Sequence, residues 1–154
     1  HAPAGYGPRH LAFPKKGECW YALCELESEL LIYHGSPTRA ALIGRMPVGG
    51  MKGANYPAAI RLSPDEGMLA ATGRGEDIVS LYAIGAGGML SHLCTESSRG
   101  AFPRDVCFTP DGKYLVCANQ KGNSLTAFEV RGGRLHYVSQ TEFEAPSCVQ
   151  FRKK

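Results

Sequence analysis

The chain has 154 residues, a length that suits one domain, and its 20% charged and 44% hydrophobic residues exclude a disordered polyelectrolyte. The net charge of +3 is mild and the basic block that stands out is 152–154, so nucleic-acid binding is not predicted. No apolar run approaches the roughly 18 residues of a membrane span, so a membrane protein is not predicted either.

Three segments of the chain repeat one plan of four short strands and polar turns. The landmark prolines Pro14, Pro64 and Pro110 recur at intervals of 50 and 46 residues. In chain order the strands fall within 7–14, 17–24, 25–33 and 40–46, then 57–67, 68–73, 74–82 and 89–94, then 103–112, 113–119, 120–128 and 134–139. Self-similarity at such a period indicates a repeat architecture.

The residues between the predicted strands are typical turn formers. Pro110, Asp111 and Gly112 form a tight-turn signature, since proline fixes φ, aspartate bonds the local backbone and glycine accepts a positive φ. Glycine pairs at 87–88 and 132–133 precede the fourth strand of a repeat. No segment keeps a 3.6-residue period over the 10 or so residues of a helix, so the predicted fold class is all-β.

Four short strands in every 46–50 residues is the period of a β-propeller blade. The sequence predicts one partial propeller domain over 1–154. Its elements are listed together: blades at about 7–50, 55–97 and 101–143, and one closing strand at 146–151. Three blades do not close a ring, because propellers need at least about four. We therefore expect a missing propeller half, or a second copy of the chain, to close the ring.

Polar side chains cluster where the first strand of each repeat begins and the second ends. In an antiparallel hairpin these two points lie at the same end of the blade, which in a propeller opens on the central channel. The residues there are Arg9, His10, Cys24 and Glu25, then Asn55, Ala59, Gly73 and Arg74, then Arg104, Asp105, Asn119 and Gln120. Arginine forks of this kind bind carboxylate or phosphate, so the predicted partner is an anionic, oxygen-rich small molecule.

Two interpretations of this cluster remain open from the spacing alone. Glu25 is expected to act as an ionised base or a charge partner of the arginines, and His10 can exchange a proton near neutral pH. Equally, an Arg9–Glu25 salt bridge could simply tie two strands of one blade together, with His10 as a hydrogen-bonded structural residue.

The cysteines and the start of the chain indicate the cellular compartment. Six cysteines occur without a CxxC pair, and four of them, Cys19, Cys107, Cys117 and Cys148, lie inside apolar runs. These favour reduced, buried thiols over a disulfide scaffold. Residues 1–7 lack the basic start and apolar core of a signal peptide, so a cytoplasmic location is expected.

Other chemical signals in the sequence are weak. His34, His92 and His136 have no neighbouring ligand at metal-type spacing, so no metal site is predicted. A Cys24–His10 nucleophile pair is conceivable because both residues fall at the same blade end. The favoured role of Cys24, however, is that of a packed side chain without a part in catalysis.

Several motifs resemble the lactonase family of seven-bladed propellers, which includes 6-phosphogluconolactonases and carboxymuconate-lactonizing enzymes. They are Gly-Pro-Arg-His-Leu-Ala-Phe at 7–13, Ile-Arg-Leu-Ser-Pro-Asp at 60–65, Arg-Gly at 74–75, Pro-Arg-Asp at 103–105, Pro-Asp-Gly-Lys-Tyr-Leu at 110–115 and Ala-Asn-Gln at 118–120. The resemblance runs from about Gly7 to Phe151 and would cover the C-terminal half of a full member. It implies a lactone ring opened or closed at the channel mouth, without metal or organic cofactor.

The resemblance also implies roles for individual residues. Arg9, His10, Glu25 and Arg74 are expected to be catalytic. Arg104 is expected to bind the substrate. The strand geometry places three further residues beside it that are expected to do the same: Asp105, Asn119 and Gln120. The family usually has an asparagine at Cys24 and at Gly73, and often a glutamate at Ala59, so these departures remove channel-side amides and one carboxylate.

The expected function is therefore hydrolysis of a sugar lactone, in the manner of a 6-phosphogluconolactonase. A muconate-type lactonizing cycloisomerase is the alternative enzyme. A non-catalytic propeller that only binds ligands is the alternative from another class, since fold alone does not decide function. The Arg9, His10, Glu25 and Arg74 set favours catalysis, whereas the departures at Ala59 and Gly73 favour a binding module.

Overall fold

The computed structural model describes residues 2–50 and 55–152, and its regular structure is almost entirely β-strand. Three antiparallel sheets each contain four strands in chain order. The first sheet comprises β1 (Pro8–Ala12), β2 (Cys19–Cys24), β3 (Glu29–His34) and β4 (Ala41–Pro47). The second comprises β5 (Tyr56–Leu62), β6 (Met68–Arg74), β7 (Ile78–Ile84) and β8 (Leu90–Ser97). The third comprises β9 (Pro103–Phe108), β10 (Tyr114–Asn119), β11 (Ser124–Arg131) and β12 (Arg134–Glu142). The prediction of an all-β chain with three four-stranded blades is confirmed.

The β9–β10 turn has the chemistry that the Pro-Asp-Gly motif predicts. The Thr109 hydroxyl donates to Asp111 Oδ1 at 2.6 Å, and the Lys113 backbone N–H donates to the same oxygen at 3.1 Å. These hydrogen bonds lower the pKa of Asp111, because they favour its ionised form. Gly112 has a φ of 72°, a conformation that glycine adopts without steric cost.

The core of the molecule lies between the sheets. Leu23, Ile32 and Tyr82 belong to a buried cluster that joins the first sheet to the second, and Leu81, Phe108 and others join the second to the third. The Tyr82 hydroxyl donates to the Pro47 carbonyl at 2.7 Å, so this buried phenol is satisfied across the sheet boundary. The first sheet therefore packs face to face on the second, and the second on the third, with β5 lying between β1 and β9.

The two outer faces of the stack carry apolar surface. On the first sheet Trp20 stacks on Tyr33 with ring centroids 4.3 Å apart, and Phe13 stacks on Trp20 at 5.4 Å. Phe13 and Tyr114, on the first and third sheets, remain 49% and 41% exposed. No further sheet covers these faces within the described residues, which agrees with an arc of blades rather than a closed ring.

The closing strand predicted at 146–151 would complete a blade begun elsewhere, so it stays a prediction for these residues. They form no strand in the structure, although the Val149 N–H donates to Asp105 Oδ2 at 3.0 Å and so holds the segment beside β9. A strand needs a ladder partner, and in the described part of the chain this segment pairs with no strand of the three sheets.

The cysteines agree only in part with the expectation of buried thiols. All six are free, and Cys19, Cys24 and Cys117 are buried. Cys94 and Cys107 are half-buried, however, and Cys148 is exposed because its segment lies outside the sheets. The apolar neighbours of Cys148 in the sequence therefore did not indicate burial.

Within residues 2–50 and 55–152, no helix has the length and apolar character needed to cross a membrane.

Candidate functional site at the channel mouth

A β-bulge marks the same point on the inner strand of each blade. In β1 the pairing with β2 jumps from Pro8 to His10, which leaves Arg9 in the bulge. In β9 the pairing with β10 jumps from Pro103 to Asp105, which leaves Arg104 in the equivalent place. A bulge bends the strand and redirects its side chain, so Arg9 and Arg104 are delivered to one end of the sheets. We call this end the channel mouth.

Glu25 joins the first two blades at the channel mouth. Its Oε1 accepts a hydrogen bond from Arg74 Nη2 at 2.5 Å, and its Oε2 lies 3.5 Å from Arg9 Nη1. Arg74 is only 6% exposed, and its Nε donates to the Tyr56 carbonyl at 2.9 Å. Arg9 Nε donates to the Ala58 carbonyl of the second blade at 2.9 Å. One carboxylate therefore orients two guanidinium groups from different blades.

Arg104 is held by a neutral partner instead of a carboxylate. Its Nη1 donates to Gln120 Oε1 at 3.1 Å, within the third blade. Gln120 follows β10 just as Glu25 follows β2, so the Arg104–Gln120 contact is the third-blade counterpart of the Arg9–Glu25 pair. The exchange of Glu for Gln leaves the charge of Arg104 uncompensated by this partner.

His10 lies near a second ion pair, between Arg61 and Asp105. Arg61 Nη2 is 2.8 Å from Asp105 Oδ1, and Asp105 is only 3% exposed. Burial lowers the pKa of His10, and the charges of Arg9, Arg61 and Arg104 lower it further, against an opposing effect of Asp105. No group among the described residues hydrogen-bonds the buried His10 Nδ1. The lowered pKa favours the neutral imidazole near pH 7, and since Nδ1 is buried, Nε2 is the nitrogen available to accept a proton.

Asn119 lies at the predicted blade end but points into the protein. Its side chain is fully buried, and Nδ2 donates to Thr126 Oγ1 at 2.9 Å and to the Ser98 carbonyl at 3.3 Å. These contacts tie β10 to β11 and to the segment that follows β8. We assign Asn119 a structural role in place of the predicted contact with substrate.

Cys24 is equally unavailable for chemistry. It packs in a buried apolar cluster with Leu31 and Tyr33 on the first sheet. Burial raises the pKa of its thiol to about 11, so the nucleophilic thiolate is scarce at neutral pH. The structure thus favours the packing role of Cys24 over a nucleophile pair with His10.

The amide that the sequence lacks at Gly73 is supplied from another position. A Cβ on Gly73 would lie 2.3 Å from Asn55 Oδ1, so the Asn55 side chain fills the space that a residue-73 side chain would need. Asn55 Nδ2 donates to the Val48 carbonyl at 2.7 Å, as Asn119 Nδ2 does to the equivalent Ser98 carbonyl. Asn55 therefore supplies in the second blade the buried amide that Asn119 supplies in the third.

Three residues at the channel mouth had no predicted role. Arg61 was part of a recognised motif, and a charged residue inside the apolar run 58–62 signals a buried partner, here Asp105. Phe102 and Lys121 carry no such signal, because their proximity depends on how neighbouring blades pack. The Lys121 Nζ lies 4.2 Å from the centroid of the Phe102 ring, and Arg74 Cζ lies 5.0 Å from the same centroid.

Removing the buried charge of Asp105 is expected to weaken the fold. Asp105→Asn would leave Arg61 without its ion pair and would weaken the bond from the Val149 N–H. We expect the free energy of unfolding to fall by about 1.5–3 kcal/mol, the range for hydrogen bonds to a charged group. Urea unfolding of the full-length protein measures this, with the exposed turn variant Asp111→Asn as the comparison. Equal stability of the Asp105→Asn variant and the wild type would contradict the prediction.

The fold and the channel mouth together define an arc of propeller blades with cationic side chains and the carboxylates of Glu25 and Asp105 converging at the inner strands. The chain belongs to the lactonase family of 7-bladed β-propellers, whose sequence profile matches residues 1–151. The resemblance that the motifs indicated is thereby confirmed.

Individual relatives agree with this assignment. A 6-phosphogluconolactonase of Bacillus subtilis is 28% identical, and the match covers 96% of this chain and 44% of the relative. A 6-phosphogluconolactonase of Formosa agariphila is 30% identical over 88% of this chain and 40% of the relative. The structure of a periplasmic gluconolactonase from Pseudomonas aeruginosa superposes with a TM-score of 0.90 at 28% identity, covering 96% of this chain and 43% of that one. The chain thus spans less than half the length of these relatives.

Proposed function

We propose that this chain forms part of a lactone hydrolase that acts on a sugar lactone. The observation that carries the proposal is the Arg9–Glu25–Arg74 cluster, in which two blades present guanidinium groups that one carboxylate holds at the channel mouth. Such groups are suited to a carbonyl oxygen that gains negative charge during ester cleavage. The names of the relatives support the choice of lactone as substrate.

The proposed mechanism divides the work between the arginines and His10. Water attacks the lactone carbonyl carbon while His10 accepts the proton that the water loses. Arg74 and Arg9 stabilise the oxyanion of the tetrahedral intermediate. The ring C–O bond then breaks, and the proton passes from His10 to the leaving oxygen, which becomes the hydroxyl of the open acid.

His10 is a better candidate for the base than Glu25. Glu25 contacts both Arg9 and Arg74, which uses its oxygens for orientation and charge balance. The pKa of His10 is lowered, which favours the neutral imidazole that can accept a proton near pH 7. We therefore assign Glu25 the role of a positioning residue.

The pH dependence of hydrolysis tests this assignment. The pKa of His10 is lowered from 6.5, so the imidazole gains a proton, and stops acting as a base, only below that value. We expect kcat/KM, measured from pH 5 to 8, to be flat near pH 7 and to fall on the acid side of pH 6.5. A profile that still rises between pH 7 and pH 8 would contradict a histidine with a lowered pKa.

The activity itself is tested with the full-length protein and 6-phosphogluconolactone. A pH-stat records acid release, which is compared with spontaneous ring opening in buffer at the same pH. Enzyme-dependent hydrolysis supports the proposal. Binding of the lactone without hydrolysis would favour the non-catalytic module, and closure of a muconate-type dicarboxylate would favour the cycloisomerase.

The open faces of the first and third sheets imply further blades. We propose that these blades come from the rest of a longer polypeptide or from a second copy of this chain. The stacked Trp20 and Tyr33 rings and the exposed Tyr114 supply the apolar surface that a neighbouring blade would bury. The proposed location of the protein remains the cytoplasm.

A further inference from the structure

The ring of Phe102 brings two cations together at the channel mouth. Arg74 Cζ, from the second blade, lies 5.0 Å from the ring centroid, and Lys121 Nζ, from the third, lies 4.2 Å from it. Both distances fall within the range of cation–π contacts. The two cations can therefore be no farther apart than these distances combined, although they come from different blades.

The backbone fixes Phe102 in this place from two sides. Its N–H donates to Asp77 Oδ1 at 2.7 Å, and its carbonyl accepts the Gln120 N–H at 3.0 Å. Its φ of 61° lies in the left-handed region, which is costly for a bulky residue and persists only where surrounding contacts hold it. The ring is thus a fixed support for the side chains of Arg74 and Lys121.

Charge is distributed unevenly around the channel mouth. Glu25 faces Arg9 and Arg74 on the side of the first two blades. On the third blade Arg104 is bound by the neutral Gln120 amide, and Lys121 comes next in the chain. The third-blade side therefore adds two cations, and its own carboxylate, Asp105, is paired with Arg61 of the second blade.

Lys121 has no charged counterpart in the other two blades. Glu25, Arg74 and Gln120 are equivalent positions at the ends of the second strands, and the next residues are Leu26, Gly75 and Lys121. The repeat itself therefore does not require a cation at this position. A lysine ammonium is a compact charge that suits a phosphate group.

We propose that Lys121, supported by Phe102, determines specificity for a phosphorylated sugar lactone over the uncharged lactone. This inference rests on the proposed lactone hydrolysis. A phosphate monoester carries a charge of about −1.5 to −2 at neutral pH, and Lys121 with Arg104 would bind it on the third-blade side. The lactone ring would then lie toward Arg9, Arg74 and His10. Relatives of this chain include enzymes named for a phosphorylated and for an unphosphorylated lactone, so the family alone leaves this choice open.

The test compares Lys121→Met with Lys121→Arg in the full-length protein. Methionine keeps the length of the side chain and removes its charge, whereas arginine keeps the charge. We expect Lys121→Met to raise KM for 6-phosphogluconolactone about tenfold, the effect of losing one charge-assisted hydrogen bond, with kcat nearly unchanged. KM for unphosphorylated gluconolactone should stay within about twofold, and Lys121→Arg should restore most of the loss. Lys113→Met, in the turn at the other end of the same blade, is the matched control.

Equilibrium binding separates this inference from the proposed function. Calorimetry with 6-phosphogluconate and with gluconate measures recognition of the phosphate even if no hydrolysis occurs. Tighter binding of 6-phosphogluconate that Lys121→Met abolishes would support the specificity role, and absence of turnover would then refute only the hydrolase. Equal effects of Lys121→Met on both lactones, or no effect on the phosphorylated ligand in either assay, would overturn the inference.

Discussion

Replacing His10 with glutamine is expected to lower kcat for lactone hydrolysis by about 10²–10⁴-fold, the typical contribution of a positioned general base. Glutamine approximates the size of the imidazole but cannot accept a proton from water at neutral pH. Because Arg9 and Arg74 keep their bonds to Glu25, oxyanion stabilisation and substrate binding should survive, and KM should change little. Stopped assays over the acid side of the pH range should also show that the pH dependence disappears.

Glu25→Gln is the informative comparison, because the sequence left both residues open as the base. Glutamine at residue 25 removes the charge that orients Arg9 and Arg74, so kcat/KM should fall while the acid limb due to His10 persists. His34→Gln controls for the substitution itself. His34 is the last residue of β3 and pairs with Glu18 at the end of the sheet opposite the channel mouth. A loss below about threefold in His10→Gln, or the disappearance of the acid limb in Glu25→Gln, would rule out His10 as the base.

The strands and the convergence of charge were predictable because each depends on local sequence. Turn residues such as Pro110 to Gly112 set the repeat length, and the repeat length alone implies that Arg9 and Arg104 occupy equivalent positions. The Arg9–Glu25 contact follows from the hairpin, since Arg9 lies near the start of β1 and Glu25 directly follows β2. Chemistry confined to one blade is therefore accessible to sequence reasoning.

Contacts between blades were less accessible, because they depend on the angle and distance at which sheets pack. The Arg61–Asp105 pair and the Phe102 contacts each join the second blade to the third. The orientation of the Asn119 side chain was not predicted either. The repeat places the residue at the end of β10, but it does not show whether the amide faces the channel or the protein interior. The segment 146–151 forms no strand among the described residues, and whether it completes another blade depends on strands that a single sequence segment does not supply.

The Asn55–Gly73 pair illustrates a compensation that a single aligned position conceals. The Asn55 amide is 1% exposed, binds the Val48 carbonyl, and occupies the volume beside Gly73. In the third blade Asn119 performs the same task from the position equivalent to Gly73. The amide has thus moved from the strand end to the residue before β5, and only one of the two positions can carry it.

Gly73→Asn is therefore expected to destabilise the protein strongly. A Cβ at residue 73 would lie 2.3 Å from Asn55 Oδ1 and 2.6 Å from its Nδ2, so one of the two side chains must leave a buried site. We expect the free energy of unfolding to fall by about 3 kcal/mol, the upper range for overpacking a core. Asn55→Gly alone should cost about 1–3 kcal/mol, because the buried Val48 carbonyl loses its donor.

The double variant Asn55→Gly with Gly73→Asn should recover most of this loss, since it recreates the arrangement of Asn119 in the second blade. Urea unfolding of the full-length protein and its three variants forms a double-mutant cycle, for which we expect a coupling of more than about 1 kcal/mol. Gly132→Asn is the matched control, because its Cβ would meet no atom within 4 Å and asparagine tolerates its φ of 59°. Additive losses in the double variant would mean that Asn55 and Gly73 act independently, and the amide at residue 55 would then be a packing feature unrelated to the family asparagine.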